Sequence, residues 1–162
     1  MDNRNQKFSV RWLIMSKSMR LGSRGSDLIK SYETLSLHAY LPTPNDVQTI
    51  GWGHTNGVKI GQEIDAIKAE QFFRDDVLFA EQIVNHLQVP LTQAMYDALV
   101  SLAFNCGTLG ESITGALKGR DYYMACQHMF LWRKQVKQDL LGLARRRARE
   151  MFLFLEDGVN PK

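Results

Sequence analysis

The sequence contains few of the residues that mark disulfide-stabilised, membrane-spanning or highly charged proteins. It has two cysteines and four prolines among 162 residues, and its formal net charge at pH 7 is +3. A small secreted scaffold would carry several disulfides, so Cys106 and Cys126 are predicted to be unpaired thiols in apolar helices. The apolar run Phe8–Met15 is interrupted by Arg11 and is too short to cross a bilayer or to act as a signal sequence.

The composition is that of a soluble globular domain, with 44% hydrophobic and 23% charged residues. A chain of this length fits a single core. The mild positive charge permits attraction to an anionic polymer, but no nucleic-acid-reading motif is present, so nucleic-acid binding is not expected. His38, His86 and His128 lack the spacing of metal ligands, so no metal site is expected.

The first 22 residues have an excess of basic side chains, namely Arg4, Lys7, Arg11, Lys17 and Arg20 against Asp2 alone. This predicts a basic N-terminal extension, either a flexible arm or a segment upstream of a start at Met15. Residues 23–158 are predicted to form one domain.

The order of sequence patterns predicts an α+β fold. Ser26 is predicted to cap a short helix that ends near Glu33, and the turn-rich stretch from His38 to Lys59 predicts a small twisted antiparallel sheet. After residue 64 the hydrophobic period becomes helical. A small sheet beside a larger helical lobe is therefore expected.

Four further helical elements follow the first long helix. That long helix is predicted to be capped by Asp65 and to end before Pro90, and the next to be capped by Thr92 and stopped by Gly107. The remaining predicted elements are a short one at Ile113–Leu117, a helix from Asp121 to Lys134 and a last helix from Asp139 to Leu155.

The stretch TIGWGHTNG, residues 49–57, is unusually rich in glycine for a strand. Side chains alternate along a strand, which puts Thr49, Gly51 and Gly53 on one face and Ile50, Trp52 and His54 on the other. A face with two missing side chains can let a bulky ligand lie close to the backbone, which makes Gly51 a candidate substrate contact. The alternative is tight packing of a neighbouring element.

Two acidic residues lie where water should be restricted. Glu33 ends an apolar helical turn just before the sheet, and desolvation there would raise the pKa of a carboxyl group, as a general acid requires. The alternative is an ordinary solvated surface residue. Asp76 interrupts the apolar stripe of the long helix, and a buried carboxylate needs a partner, for which His54 is suited. We predict a structural pair between these two residues.

These features, taken together, resemble the phage-type lysozymes, or endolysins, of glycoside hydrolase family 24. The resemblance runs from about Gly25 to Leu155 and is carried by Glu33, Leu37, Ala39–Tyr40, TIGWGHTNGV with Gly61, ALVSLAFNCG at 98–107 and GLARRRARE at 142–150. It implies a lysozyme-like catalytic domain with the active-site cleft between sheet and helical lobe.

The resemblance also implies an activity. It implies hydrolysis of the β-1,4 bond between N-acetylmuramic acid and N-acetylglucosamine in peptidoglycan, without a cofactor, leading to lysis of a bacterial host. Glu33 matches the family's catalytic acid, and Thr49 matches the threonine that helps position the attacking water. Asn105 is a candidate contact for the sugar amides, with capping of its helix as the alternative. Arg145 or Arg146 can turn inward to pair near Glu33.

The sequence departs from the family between the acid and the threonine. Family members usually carry an aspartate or cysteine shortly after the tyrosine that matches Tyr40, where this chain has Pro42 or Thr43. Asp46 is the nearest replacement, and its alternative role is that of a turn former. If no second carboxylate acts, a lytic transglycosylase using Glu33 alone or a catalytically impaired wall-binding domain is the competing prediction.

The resemblance further predicts where the protein acts. We expect synthesis in the host cytoplasm, release through a separately encoded holin, and action on the cell wall. The expected partner is the peptidoglycan glycan strand, without stable membrane insertion, and we expect a monomer.

Overall fold

The computed structural model describes residues 18–132, 134–135, 138–139, 141–159 and 161. Most of the predicted basic extension, residues 1–17, lies outside the described residues. The described part of the extension packs on the domain: the Met19 amide donates to Asn85 (3.0 Å) and the Leu21 amide to Glu81 (2.6 Å). Residues 19 and 21 therefore contact the domain that the sequence analysis predicts to begin at residue 23, and that division stays a prediction.

The predicted α+β fold is confirmed, with a small antiparallel sheet beside a larger helical lobe. Within the described residues the helices are α1 (Ser23–Lys30), α2 (Ala66–Asn85), α3 (Gln93–Cys106), α4 (Gly110–Lys118), α5 (Tyr122–Leu131) and α6 (Leu141–Leu155). The strands are β1 (Ser36–Tyr40), β2 (Thr49–Gly51), β3 (Lys134–Gln135) and β4 (Gln138–Asp139). β1 pairs with β2 and β3 with β4, both antiparallel.

The predicted caps of the two central helices are confirmed. The Asp65 carboxylate accepts from the Lys68 amide at 2.7 Å, and the Thr92 hydroxyl accepts from the Met95 amide at 3.1 Å. Gly107 ends α3 in the left-handed conformation at φ 70°. Local side chains therefore fix both ends of α3 and the start of α2.

Three predicted helix boundaries are wrong. The last helix begins at Leu141 rather than at Asp139, which belongs to β4. Ser26 does not cap α1, which begins at Ser23, because the buried Asp97 of α3 accepts from the amides of Gly22 (2.8 Å) and Gly25 (3.2 Å). The helix predicted to reach Lys134 ends at Leu131, since the chain leaves helical geometry at Trp132, where ψ is 41°. The short β3–β4 pair follows.

The core surrounds α3, which packs against α1, α2 and α6. All residues of α3 from position 94 to 103 are buried, and the apolar ones are Ala94, Met95, Tyr96, Ala98, Leu99, Val100, Leu102 and Ala103. Helices α1 and α6 are thus set against one central element. None of the helices in the described ranges is both long and apolar enough to span a membrane.

Candidate active site

Glu33 lies between the helical lobe and the glycine-rich loop after β2. It follows α1 in a turn, and its side chain is 21% exposed. Its Oε1 accepts from Nη1 of Arg146 on α6 at 2.8 Å. On the other side, a Cβ placed on Gly53 would lie 3.0 Å from Glu33 Oε2. Of the two arginines considered from the sequence, Arg146 is the one that pairs with this acid, whereas Arg145 is exposed.

The stretch predicted as one strand is a tight hairpin. β2 ends at Gly51, and His54 turns back to pair with Ile50 through two backbone hydrogen bonds of 2.9 Å. Gly51 and Gly53 adopt positive φ values of 64° and 88°, which glycine tolerates and other residues rarely do. Because the chain reverses here, strand alternation does not put Gly53 on the face of Thr49, and the glycine instead approaches Glu33.

Thr49 and Gly51 are the two predicted site residues on β2, and both are buried. The position of a Cβ on Gly51 would be 3.5 Å from the Cβ of Ala69 on α2, which agrees with the packing alternative at this residue. Its role as a substrate contact stays a prediction. Thr49 is 5% exposed, and its hydroxyl donates to the backbone carbonyl of Val47 at 3.0 Å.

Asp46 and Asn105 are both exposed, in different surroundings. The Asp46 carboxylate accepts from the amide of the next residue, Val47, at 3.1 Å, as expected of a turn former. Asn105 lies in the last turn of α3, where its Oδ1 accepts from Nη2 of Arg147. Since Gly107 caps α3, Asn105 does not fill the capping role, and its amide nitrogen keeps donors that a ligand can use.

His54 and Asp76 are in contact, as predicted. His54 Nδ1 lies 2.9 and 3.0 Å from the two Asp76 oxygens, and Nε2 lies 2.9 Å from the carbonyl of Asn56. The imidazole stacks on Phe72 with ring centroids 4.1 Å apart. Burial raises the pKa of the Asp76 carboxyl, and the hydrogen bond with His54 opposes that change. The pair fastens the end of the hairpin to α2.

A second link between the hairpin and the helices was missed from the sequence. Glu70 of α2 accepts from Trp52 Nε1 at 2.9 Å and from Lys30 Nζ at 2.7 and 2.9 Å. The Lys30 ammonium also lies 5.1 Å from the centroid of the Trp52 ring. Glu70 thereby joins the last residue of α1 to the loop that contacts Glu33. No sequence pattern marks Glu70, since it occupies an ordinary polar position of α2.

The link at Glu70 should make stability depend on pH. The hydrogen bond from Lys30 lowers the pKa of the Glu70 carboxyl, and burial opposes it. A lowered folded-state pKa adds stability that is present above the unfolded value of about 4.5 and is lost as pH falls through the lower folded value. The wild type should therefore exceed Glu70→Gln in unfolding free energy by about 0.5–1 kcal/mol at pH 7, since the pair is partly exposed.

Denaturant unfolding of both proteins from pH 7 to pH 2 checks this prediction. The difference should shrink as the carboxyl protonates. Asp75→Asn, which removes an exposed carboxylate from the same helix, serves as the control and should show a smaller difference. A gap between wild type and Glu70→Gln that stays constant over this range would contradict the predicted contribution.

Behind Glu33, the site includes buried charged residues of α6. Glu150, with no exposed surface, lies 3.3 Å from Arg146 Nε and 2.8 Å from Arg147 Nη1, and its Oε1 accepts from Ser101 Oγ at 2.7 Å. Burial raises the pKa of Glu150 and lowers that of Arg147, while their mutual attraction opposes both changes. The spacing of the arginines and Glu150 in RRARE was the available signal for this cluster.

Further observations concern the two cysteines, Trp132 and metal binding. Cys106 and Cys126 are free thiols, and burial raises the pKa of both. Trp132 packs against the core, and its ring covers Gly110, so that a Cβ there would overlap it. Among the residues that the structure describes, no group of three or more His, Cys, Asp or Glu side chains could hold a metal ion.

A helical lobe, a small sheet and an acid held between them define a lysozyme-like protein. The chain matches the family model described as phage lysozyme over residues 30–150, so it belongs to the phage lysozyme family. It is 37% identical over 144 residues to the endolysin of Acyrthosiphon pisum secondary endosymbiont phage 1, covering 84% of this chain and 98% of the relative.

Solved structures agree with that assignment. The muramidase domain of SpmX from Asticaccaulis excentricus superposes with a TM-score of 0.73 at 34% identity, covering 84% of this chain and 97% of that one. A mutant of P22 lysozyme gives a TM-score of 0.72 at 34% identity, covering 85% and 99%. The resemblance read from the sequence motifs is therefore confirmed.

Proposed function

We propose that the protein is an N-acetylmuramidase of the endolysin type. It hydrolyses the β-1,4 bond between N-acetylmuramic acid and N-acetylglucosamine in peptidoglycan. The observation that carries this proposal is the Glu33 carboxyl, held between the Gly53 loop and Arg146 of the helical lobe. Relatives called endolysin and a similar structure called a muramidase domain support it.

Glu33 acts as the general acid in this proposal. It gives its proton to the leaving glycosidic oxygen, which avoids expulsion of an unprotonated alkoxide. Thr49 assists the attacking water. Because its hydroxyl proton is donated to the Val47 carbonyl, the Thr49 oxygen presents lone pairs that can accept a hydrogen bond from water. That bond would orient the water for attack.

A lytic transglycosylase is the second candidate, and the position of Asp46 favours it. Hydrolysis with inversion uses two carboxylates, one of which activates water. The Asp46 side chain is exposed and bonded within its own turn, which favours the turn-forming role over that of a base. Attack by the muramic acid's own hydroxyl requires Glu33 alone.

We further propose the endolysin route to the substrate. The protein is made in the host cytoplasm, released through a separately encoded holin, and acts as a monomer on the glycan strands of the wall. The names of the endolysin relatives support the wall as the place of action.

Analysis of sugar ends after digestion of purified peptidoglycan tests these assignments. We expect new reducing ends, which hydrolysis produces. Anhydro-muramic ends would instead establish the transglycosylase, and binding without cleavage would establish an impaired wall-binding domain. An Asp46→Asn variant digested in parallel decides the role of that residue, since full hydrolysis by the variant would exclude Asp46 as base.

A further inference from the structure

The acid of the proposed muramidase contacts a buried cluster of charged side chains on α6. Arg146 touches Glu33 at 2.8 Å, and Arg147 is the next residue of the same helix. Both guanidinium groups are buried and remain protonated. A nearby cation favours the ionised form of a carboxyl group, yet a general acid must hold its proton. Without a counter-charge, Arg146 and Arg147 would therefore oppose proton donation by Glu33.

Glu150 supplies the counter-charge from within the protein. It contacts both arginines and has no exposed surface, so its charge is screened little by water or salt. Arg146 is shared between the two acids, with Nη1 on Glu33 and Nε on Glu150. The guanidinium that orients the catalytic carboxyl is thus already partly neutralised from behind.

We propose that Glu150 is a positioning residue that acts on Glu33 through Arg146, reducing the net positive charge of its cluster with Arg146 and Arg147 from two to one. This inference rests on the proposed role of Glu33 as general acid. Glu150 does not touch substrate. It holds the shared guanidinium in place and offsets part of the positive charge that Arg146 brings to the Glu33 carboxyl group.

The other groups around the cluster do not supply that charge. Ser101 of α3 donates a neutral hydrogen bond to Glu150, and the Cys106 thiol lies 3.8 Å from Arg147 Nη1. Burial raises the pKa of Cys106, which keeps it neutral. Tyr32 lies beneath the guanidinium groups of Arg146 and Arg149, at 5.3 and 5.6 Å from its ring centroid. Glu150 is the carboxylate that touches both buried arginines in the described part of α6.

The test uses three variants whose charges differ in a defined way. Glu150→Gln raises the net charge of this cluster by one, Arg147→Gln lowers it by one, and the double variant restores the wild-type value. We expect the high-pH limit of wall hydrolysis to move about one pH unit lower in Glu150→Gln and higher in Arg147→Gln. The double variant should return near the wild-type limit, because its charge balance is that of the wild type.

Titration of the Glu33 carboxyl by carbon-13 NMR provides a readout without substrate. The same order of shifts is expected in the four proteins, with Glu33→Gln used to assign the signal. This measurement distinguishes failure of the proposed role of Glu150 from failure of the proposed function. It still reports on Glu150 if the protein does not hydrolyse peptidoglycan. Reducing-end analysis with Glu33→Gln separately tests the proposed function.

One control distinguishes charge from structure. Met129→Ala weakens the core away from this cluster and changes no charge. It should leave the titration of Glu33 close to that of the wild type. Each variant is measured below its own unfolding temperature. If Glu150→Gln does not fold, Arg147→Gln and the double variant still test the sign, and an unshifted titration in whichever single variant folds overturns the proposal.

Discussion

We expect Glu33→Gln to lower the rate of peptidoglycan hydrolysis by about 10²–10⁴ while leaving the fold intact. The amide has the size of the carboxyl group and its oxygen can still accept from Arg146, so the contact at this site is kept. What is lost is the proton for the leaving oxygen. Release of soluble fragments from purified peptidoglycan at fixed pH measures the rate, and thermal unfolding followed by circular dichroism checks the fold.

Glu63→Gln is the matched control for Glu33→Gln. Glu63 is also a carboxylate near the sheet, but its side chain is 73% exposed and lies beside His38. Its substitution should leave the rate within about twofold of the wild type, since surface changes of this kind have small effects. Near wild-type hydrolysis by Glu33→Gln would remove the general acid from the proposed mechanism. An equal loss in both variants would point to an indirect effect of charge.

Sequence reasoning predicted those parts of the fold that depend on neighbouring residues. Asp65 and Thr92 each cap a helix from one residue before it, and Gly107 ends α3 directly after its last residue. These signals are local, so they can be read without the fold. The start of α1 could not be predicted in the same way, because its amides are satisfied by Asp97, 75 residues away from Gly22.

Glu33, the main residue of the site, could be predicted from the sequence, but the residues that hold it in place could not. Glu33 was identified by its place between helix and sheet and by the family resemblance. The hairpin was mistaken for a strand because glycine is compatible both with a strand face and with positive φ. Glu150 was missed because helical spacing to two arginines usually describes an exposed ion pair, and only tertiary packing shows that these charges are buried.

The second large effect is expected from substitution of Gly53, which lies in the hairpin after β2. We expect Gly53→Ala to lower the hydrolysis rate by about 10²-fold, because the new methyl group would lie 3.0 Å from Glu33 Oε2 and displace the carboxyl group. The substitution should also cost about 1–2 kcal/mol of stability, since alanine is strained at a φ of 88°. Fragment release measures the first effect and denaturant unfolding the second.

Gly57→Ala separates these two causes. Gly57 belongs to the same loop and has a φ of 71°, but a Cβ there would have nothing within 4 Å. Alanine at this position should therefore cost similar stability while leaving hydrolysis close to wild type. If the two glycine variants lose activity equally, loop strain rather than contact with Glu33 governs the rate. If Gly53→Ala retains full activity, the close approach of the loop has no part in holding the acid, because the carboxyl group then works equally well from a displaced position.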